Sequence, residues 1–434
     1  MPKFDYPVSN PFQARAVTEP TFEEDIFGSN LYVNLDSVRG QDYLSRIKFD
    51  LGIASDGSME ITQEYVKLIF SGHIGSGKTV ELKRLHHQLN KPDNYFSIFI
   101  GIEQELEISR FEPEDFFVLL ITQLVKQLHD HGITRNTESL NRLAALFFSD
   151  EEVKKEISDS IKDEVEAKIE AGIGFLDFFK IGGSLKNLLA GETKTAKTVR
   201  EVTRKNILKL AQLFNDYLSD IRKDIVAKGL GQDILFVVDG SEKIMFDKYE
   251  TLFVKDANVL ISLDVNMIMS VRIDALYQIE KSPIKFTNRY VVPMIKTEQA
   301  DAHTALCEII TKRIDKDTFF ANDAALHRCI DYSGGCIRQL FQIINRGISK
   351  TRGERKIDVA VVEAVTDELG NSMRESINFD YVKLLQSETY EPADAKIKEM
   401  LYGLLLLKYN GKNSIKINPI LEKYMKNAGE LRAK

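Results

Sequence analysis

The chain has 434 residues, 43% hydrophobic and 28% charged, an ordinary globular composition with room for two or three domains. Its 58 basic and 65 acidic residues leave a formal charge of −7, so the chain as a whole does not attract polyanions and any nucleic-acid contact has to be a local patch. Three cysteines, Cys307, Cys329 and Cys336, are too few and too scattered for a disulfide scaffold. With no signal-like apolar core and no membrane-length apolar run, a soluble cytoplasmic protein is expected.

In residues 1–24, Pro2, Pro7, Pro11 and Pro20 interrupt regular structure and suggest an extended arm. Leu35, Val38, Leu44, Ile47 and Leu51 recur at a spacing that suggests one helix leading onward. The apolar run 65–70, closed by Ser71 and Gly72, reads as a buried parallel strand, and Val80, Leu82, Leu85 and Leu89 follow at helical spacing. A second strand is expected at 95–100, then a helix capped by Asp115 and carrying Phe116, Leu119, Leu120, Leu124 and Leu128 inward.

Between 149 and 220 the sheet pattern is interrupted by a charge-dense stretch and by the segment 171–191, which combines Phe175, Leu176, Phe178, Phe179, Leu185, Leu188 and Leu189 with five glycines. That segment is either a hairpin folded onto the core or an exposed element for a protein partner, an oligomer or a membrane surface. A basic helix starts near Arg200 and Arg204. Strands resume at 234–238, 265–269 and 290–295, so five strands alternating with helices give an α/β sheet. Helical periodicity dominates from 298 to about 370, and the tail holds two short apolar runs separated by Asn410-Gly411, a strong hairpin signal. The histidines His86, His87, His129 and His131 lack acids or cysteines at ligand spacing and read as surface or packing residues.

One motif carries chemistry directly. Gly72-His73-Ile74-Gly75-Ser76-Gly77-Lys78-Thr79 matches the Walker A pattern between a strand and a helix. Glycines let backbone N–H groups turn toward phosphates, the helix start adds positive charge, Lys78 is expected to reach the β- and γ-phosphates, and the Thr79 hydroxyl to ligate Mg²⁺. Val80 closes the segment. Asp239 ends the most apolar strand, the place of a Walker B acid that holds the metal, although an aspartate there can also cap a turn. Glu242 is a candidate general base, or an exposed loop glutamate.

Two further segments resemble the AAA+ ATPases of the origin-recognition and STAND (signal-transduction ATPases with numerous domains) branches. Val38-Arg39-Gly40-Gln41-Asp42-Tyr43-Leu44 resembles the box that precedes their phosphate loop, and Ser333-Gly334-Gly335-Cys336-Ile337-Arg338-Gln339-Leu340 resembles the sensor-2 region of their helical lid. The resemblance implies that Arg39 lies near the nucleotide and that Arg338 senses phosphate. It also implies that Ser270 with Arg272 forms a sensor 1, or that Arg289 is an arginine finger acting on a neighbour's ATP. Asp239-Gly240-Ser241-Glu242 departs from the AAA+ pattern, in which a glutamate directly follows the aspartate, and is nearer to STAND proteins that use slow hydrolysis as a switch.

The expected fold is α/β, a P-loop NTPase parallel sheet with a helical lid and a C-terminal winged-helix-like domain. The expected division is an arm at 1–34, an ATPase domain at 35–297 with an insert at about 149–220, a lid at 298–370 and a winged-helix-like domain at 371–434. ATP and Mg²⁺ are the expected cofactors, and a homo-oligomer the expected assembly. The expected function is a nucleotide-dependent assembly or signalling switch, with a bacterial anti-phage setting implied by the resemblance alone. The alternatives are a DNA-handling ATPase, with Lys408, Lys412, Lys416, Lys423 and Lys426 on phosphates, and a nucleotide-binding scaffold with little turnover. The same lysines can instead form a solvated face.

Overall fold

Unbroken apolar runs such as Ile234-Leu235-Phe236-Val237-Val238 suit strands covered on both faces, and the sheet is built from them. The computed structural model describes residues 4–432 apart from 21, 23–24, 41, 61–63, 135–136, 148–188, 190–193, 282–284 and 412–413. The segment 171–191, save Leu189, and Lys412 therefore lie outside the described residues. Among the described residues no helix is long and apolar enough to cross a membrane.

The fold is α/β, built on a five-stranded parallel sheet flanked by helices. Its strands are β1 (Lys67–Gly72), β2 (Tyr95–Gly101), β3 (Asp233–Asp239), β4 (Asn266–Val271) and β5 (Asn288–Val292), in the order β2-β3-β4-β1-β5. Register pairs Ile98 with Phe236 and Val237 with Ile268. β1, β3 and β4 are buried along their whole length. β5 ends at Val292, short of the expected 295, because Pro293 has no N–H for a ladder.

Chain contacts group the residues into two compact units, 44–70 with 81–290, and 1–43 with 71–80 and 291–434. In the first, helix Pro113–Asp130 starts on a capping box in which Glu112 and Asp115 bond each other's backbone, so Asp115 sits one turn inside the helix rather than at its cap. The same carboxylate receives two hydrogen bonds from Arg200 on helix Lys194–Lys205, at 2.8 and 2.7 Å, and Arg204 pairs with neighbouring Glu114. Burial raises the Asp115 pKa against the pull of Arg200. Arg200→Ala leaves a buried carboxylate without its counter-charge and is expected to cost about 3 kcal/mol of stability at neutral pH. Urea unfolding checks this, and a midpoint equal to wild type would contradict it.

The second unit holds the arm, the phosphate loop and everything after 291. Within the arm Pro11–Val17 is a helix, not the extended chain that four prolines suggest. Pro11 occupies the first turn, where its missing N–H is no loss, and the Asn10 side chain caps the amides of Phe12 and Gln13. Ala14, Val17, Leu35 and Val38 join a core with Leu306, Ile310, Ile330, Leu340, Ile344 and Val365. The single helix expected over 35–51 is two, Asp36–Arg39 and Tyr43–Asp50, parted at Gly40 in the left-handed region with φ 62°. The tail folds as helices around an antiparallel hairpin, β6 (Leu406–Lys408) and β7 (Ile415–Ile417).

Candidate nucleotide site

β1 ends at Gly72, where a side chain would meet the Val292 carbonyl at 2.9 Å, so the loop can leave the strand only through a glycine. Gly75 and Gly77 take φ of 81° and 92°, values that turn successive amides inward. Ser76 N–H closes a turn on the His73 carbonyl at 3.2 Å. Lys78 is then the first residue of helix Lys78–Leu89. Its buried ammonium donates to the loop's own carbonyls at Gly72 and His73, 3.1 and 3.0 Å away. Thr79 is exposed, and Ile74 and Val80 are half-buried.

Two arginines named from the sequence stand on this loop. Arg39, only 2% exposed, donates from Nη2 to the Ser76 carbonyl at 2.5 Å, so it braces the loop backbone. Arg338, the second residue of helix Ile337–Thr351, lies against Gly75, where any Cβ would fall 2.3 Å from that of the arginine. Cys336, fully buried, places its Sγ 3.8 Å from the Ile74 carbonyl, and burial pushes its thiol up to about 11.

Residues that sequence reasoning passed over complete the wall. The Asn410 amide donates to the Arg39 carbonyl, and the Tyr409 hydroxyl to the Gly334 carbonyl at 2.8 Å. The local pattern marks Asn410 only as a hairpin turn residue and shows neither contact, since each side chain reaches its partner across the chain.

The acid group belongs to the sheet's own unit. Asp239, 7% exposed, ends β3, and Gly240 at φ 89° turns the chain into a short helical turn, Ser241–Lys243. Glu242 is 7% exposed and accepts a hydrogen bond from Ser270 Oγ at 2.7 Å. Ser241 holds Ser270 in turn, its N–H donating to Ser270 Oγ at 3.2 Å and its hydroxyl to the Ser270 carbonyl. Arg272, by contrast, is spent on Asp274 in a two-pronged ion pair at 3.0 and 2.8 Å. Arg289 stands exposed on β5.

No protein-family model and no curated protein matches the sequence. Among solved structures, several chains show similarity. One of them is the crystal structure of Cdc6p from Pyrobaculum aerophilum, with 12% sequence identity, a TM-score of 0.40, and coverage of 96% of this chain and 98% of that one. An overlay this loose carries no residue role from one protein to the other.

The residues present fit a magnesium nucleotide. Two glycines hold backbone that side chains would distort, one ammonium sits at the helix start, and the exposed Thr79 is the next residue. Ser76 Oγ is buried with no hydrogen-bond partner among the described residues, as suits a hydroxyl in a phosphate loop.

The tail lysines are mostly committed. Lys416 pairs with Glu298 at 2.6 Å, Lys423 with Glu363 and Asp367 at 2.5 and 3.0 Å, and Lys426 with Glu422 at 2.7 Å. His86 shares a hydrogen bond with Ser97 at 2.9 Å, and His131 packs edge-on against Phe96.

Proposed function

We propose that the chain binds ATP with Mg²⁺ on the loop Gly72–Thr79, hydrolyses it slowly, and works as a nucleotide-dependent assembly or signalling switch. The observation that carries this is the strand, glycine loop and helix sequence that brings Gly75, Gly77 and Lys78 together at a helix start. In this reading the loop amides and Lys78 hold the phosphates, Thr79 and Asp239 hold the metal, and Glu242 orients the attacking water. Bound Mg²⁺ supplies neutralisation of the phosphate charge. Parallel α/β sheets bind ligands outside the carboxyl ends of their strands; the loop follows such an end, of β1, and Asp239 is the last residue of β3.

Ser270 gives Glu242 a fixed direction, which a general base needs. Arg289, exposed, suits a finger offered to a second copy of the chain in an oligomer. The DNA-handling alternative draws little support from lysines that already face carboxylates.

Glu242→Gln is expected to lower the rate of phosphate release roughly 10²- to 10⁴-fold while leaving the affinity for Mg·ATP within about threefold of wild type. Unchanged release would remove Glu242 from the mechanism. A wild-type chain that binds ATP yet releases no phosphate would instead make the protein a nucleotide-binding scaffold.

A further inference from the structure

His73 is the second residue of the phosphate loop, but its ring is turned into the tail and fully buried. Nε2 accepts the backbone N–H of Lys408 at 2.8 Å, and Nδ1 lies 3.0 Å from the Leu401 carbonyl. The first bond decides the tautomer. A nitrogen that accepts is bare, so the proton is on Nδ1 and is donated to Leu401. Burial, with Lys78 and Lys408 close by, pushes the ring's pKa down to about 3 against the pull of the Leu401 carbonyl, so the imidazole is neutral and both bonds hold across the physiological range.

Two further observations make this a joint rather than ordinary packing. Both backbone polar groups of Lys408 leave the hairpin, the N–H for His73 and the carbonyl for the amide of Met294 at 3.0 Å. The His73 carbonyl is meanwhile an acceptor of the Lys78 ammonium at 3.0 Å. One residue thus carries a contact of the phosphate-reading lysine on its backbone and the hairpin on its ring. Beside it, Asn410 of the same hairpin reaches the Arg39 carbonyl, and Arg39 braces Ser76.

We propose that His73 is a positioning residue that couples the phosphate loop to the tail hairpin 406–417, so that nucleotide binding and hairpin docking are linked equilibria. The inference rests on the nucleotide reading above. Linkage is reciprocal, so a partner that seizes the hairpin changes nucleotide affinity by the factor with which nucleotide changes the partner's. No charge has to move for the signal to pass. It travels through one neutral ring with a donor on one side and an acceptor on the other.

The test is hydrogen–deuterium exchange of residues 401–410 in the full chain, with and without Mg²⁺ and a non-hydrolysable ATP analogue. In the wild type the analogue is expected to change exchange there at least threefold. His73→Phe keeps the ring's bulk and loses both hydrogen bonds, so it abolishes that response and shifts analogue affinity by about 5- to 50-fold. His73→Gln keeps one acceptor and one donor and restores the response. Lys408→Pro deletes the N–H with His73 in place, and it must abolish the response as well; this serves where the phenylalanine variant fails to fold by circular dichroism.

An undiminished response in His73→Phe, or in Lys408→Pro, overturns the coupling. So does a wild type that binds the analogue by calorimetry with no change at 401–410. A wild type that takes up no analogue in calorimetry fails at an earlier step, and it removes the nucleotide reading together with the coupling.

Discussion

Lys78→Ala is expected to weaken Mg·ATP binding by about 10- to 150-fold in titration calorimetry. A charge-assisted hydrogen bond contributes roughly 1.5–3 kcal/mol, which spans that range at 1.4 kcal/mol per factor of ten. Alanine also deprives the Gly72 and His73 carbonyls of the ammonium that bonds them. Lys78→Arg separates the two effects. A guanidinium keeps the charge but brings a wider, planar group into a loop walled by Arg39 and Arg338, so affinity falls while the loop carbonyls keep a donor. Equal affinity in wild type and Lys78→Ala would end the phosphate role of this loop.

The second large effect is on stability. Gly335 takes φ 76°, and a Cβ there would lie 2.0 Å from the Ile295 carbonyl oxygen and 2.7 Å from its carbon and nitrogen. These are backbone atoms that cannot swing aside. Gly335→Ala is therefore expected to cost about 3–5 kcal/mol, the strain of left-handed backbone in an alanine plus displacement of the segment that starts helix Ile337–Thr351. Gly429→Ala is the control, with φ 73° and nothing within 4 Å of the added carbon. It should cost only about 1–2 kcal/mol, the conformational part alone. If the two variants melt together, the close approach of 335 to 295 is wrong.

What the sequence shows of this protein follows the range of the forces involved. Strands buried on both faces announce themselves as apolar runs, which is why β1, β2, β3 and β4 fall within two or so residues of their expected places. The Walker loop is legible because its glycines and lysine are required by local geometry. The boundaries set by single residues were less visible. Pro293 cut β5 short, Gly40 split a helix that periodicity joins, and Pro11 began a helix that proline count argued against. Pairings between distant backbone groups left no trace at all. The partners of His73 are main-chain atoms 328 and 335 residues further on, and a main-chain atom has no residue type to betray it. Ser270 and Glu242 are an intermediate case, each singled out by position, with the hydrogen bond between them visible only in three dimensions.

The seat that Leu401 and Lys408 provide for His73 has a consequence for synthesis. A ribosome makes the loop long before it makes these partners, which follow 328 or more residues later. At roughly 5–20 residues per second that interval is on the order of tens of seconds. Through it a nascent loop lacks the acceptor and donor that its histidine ring later uses, so the loop is completed only after the tail has been made.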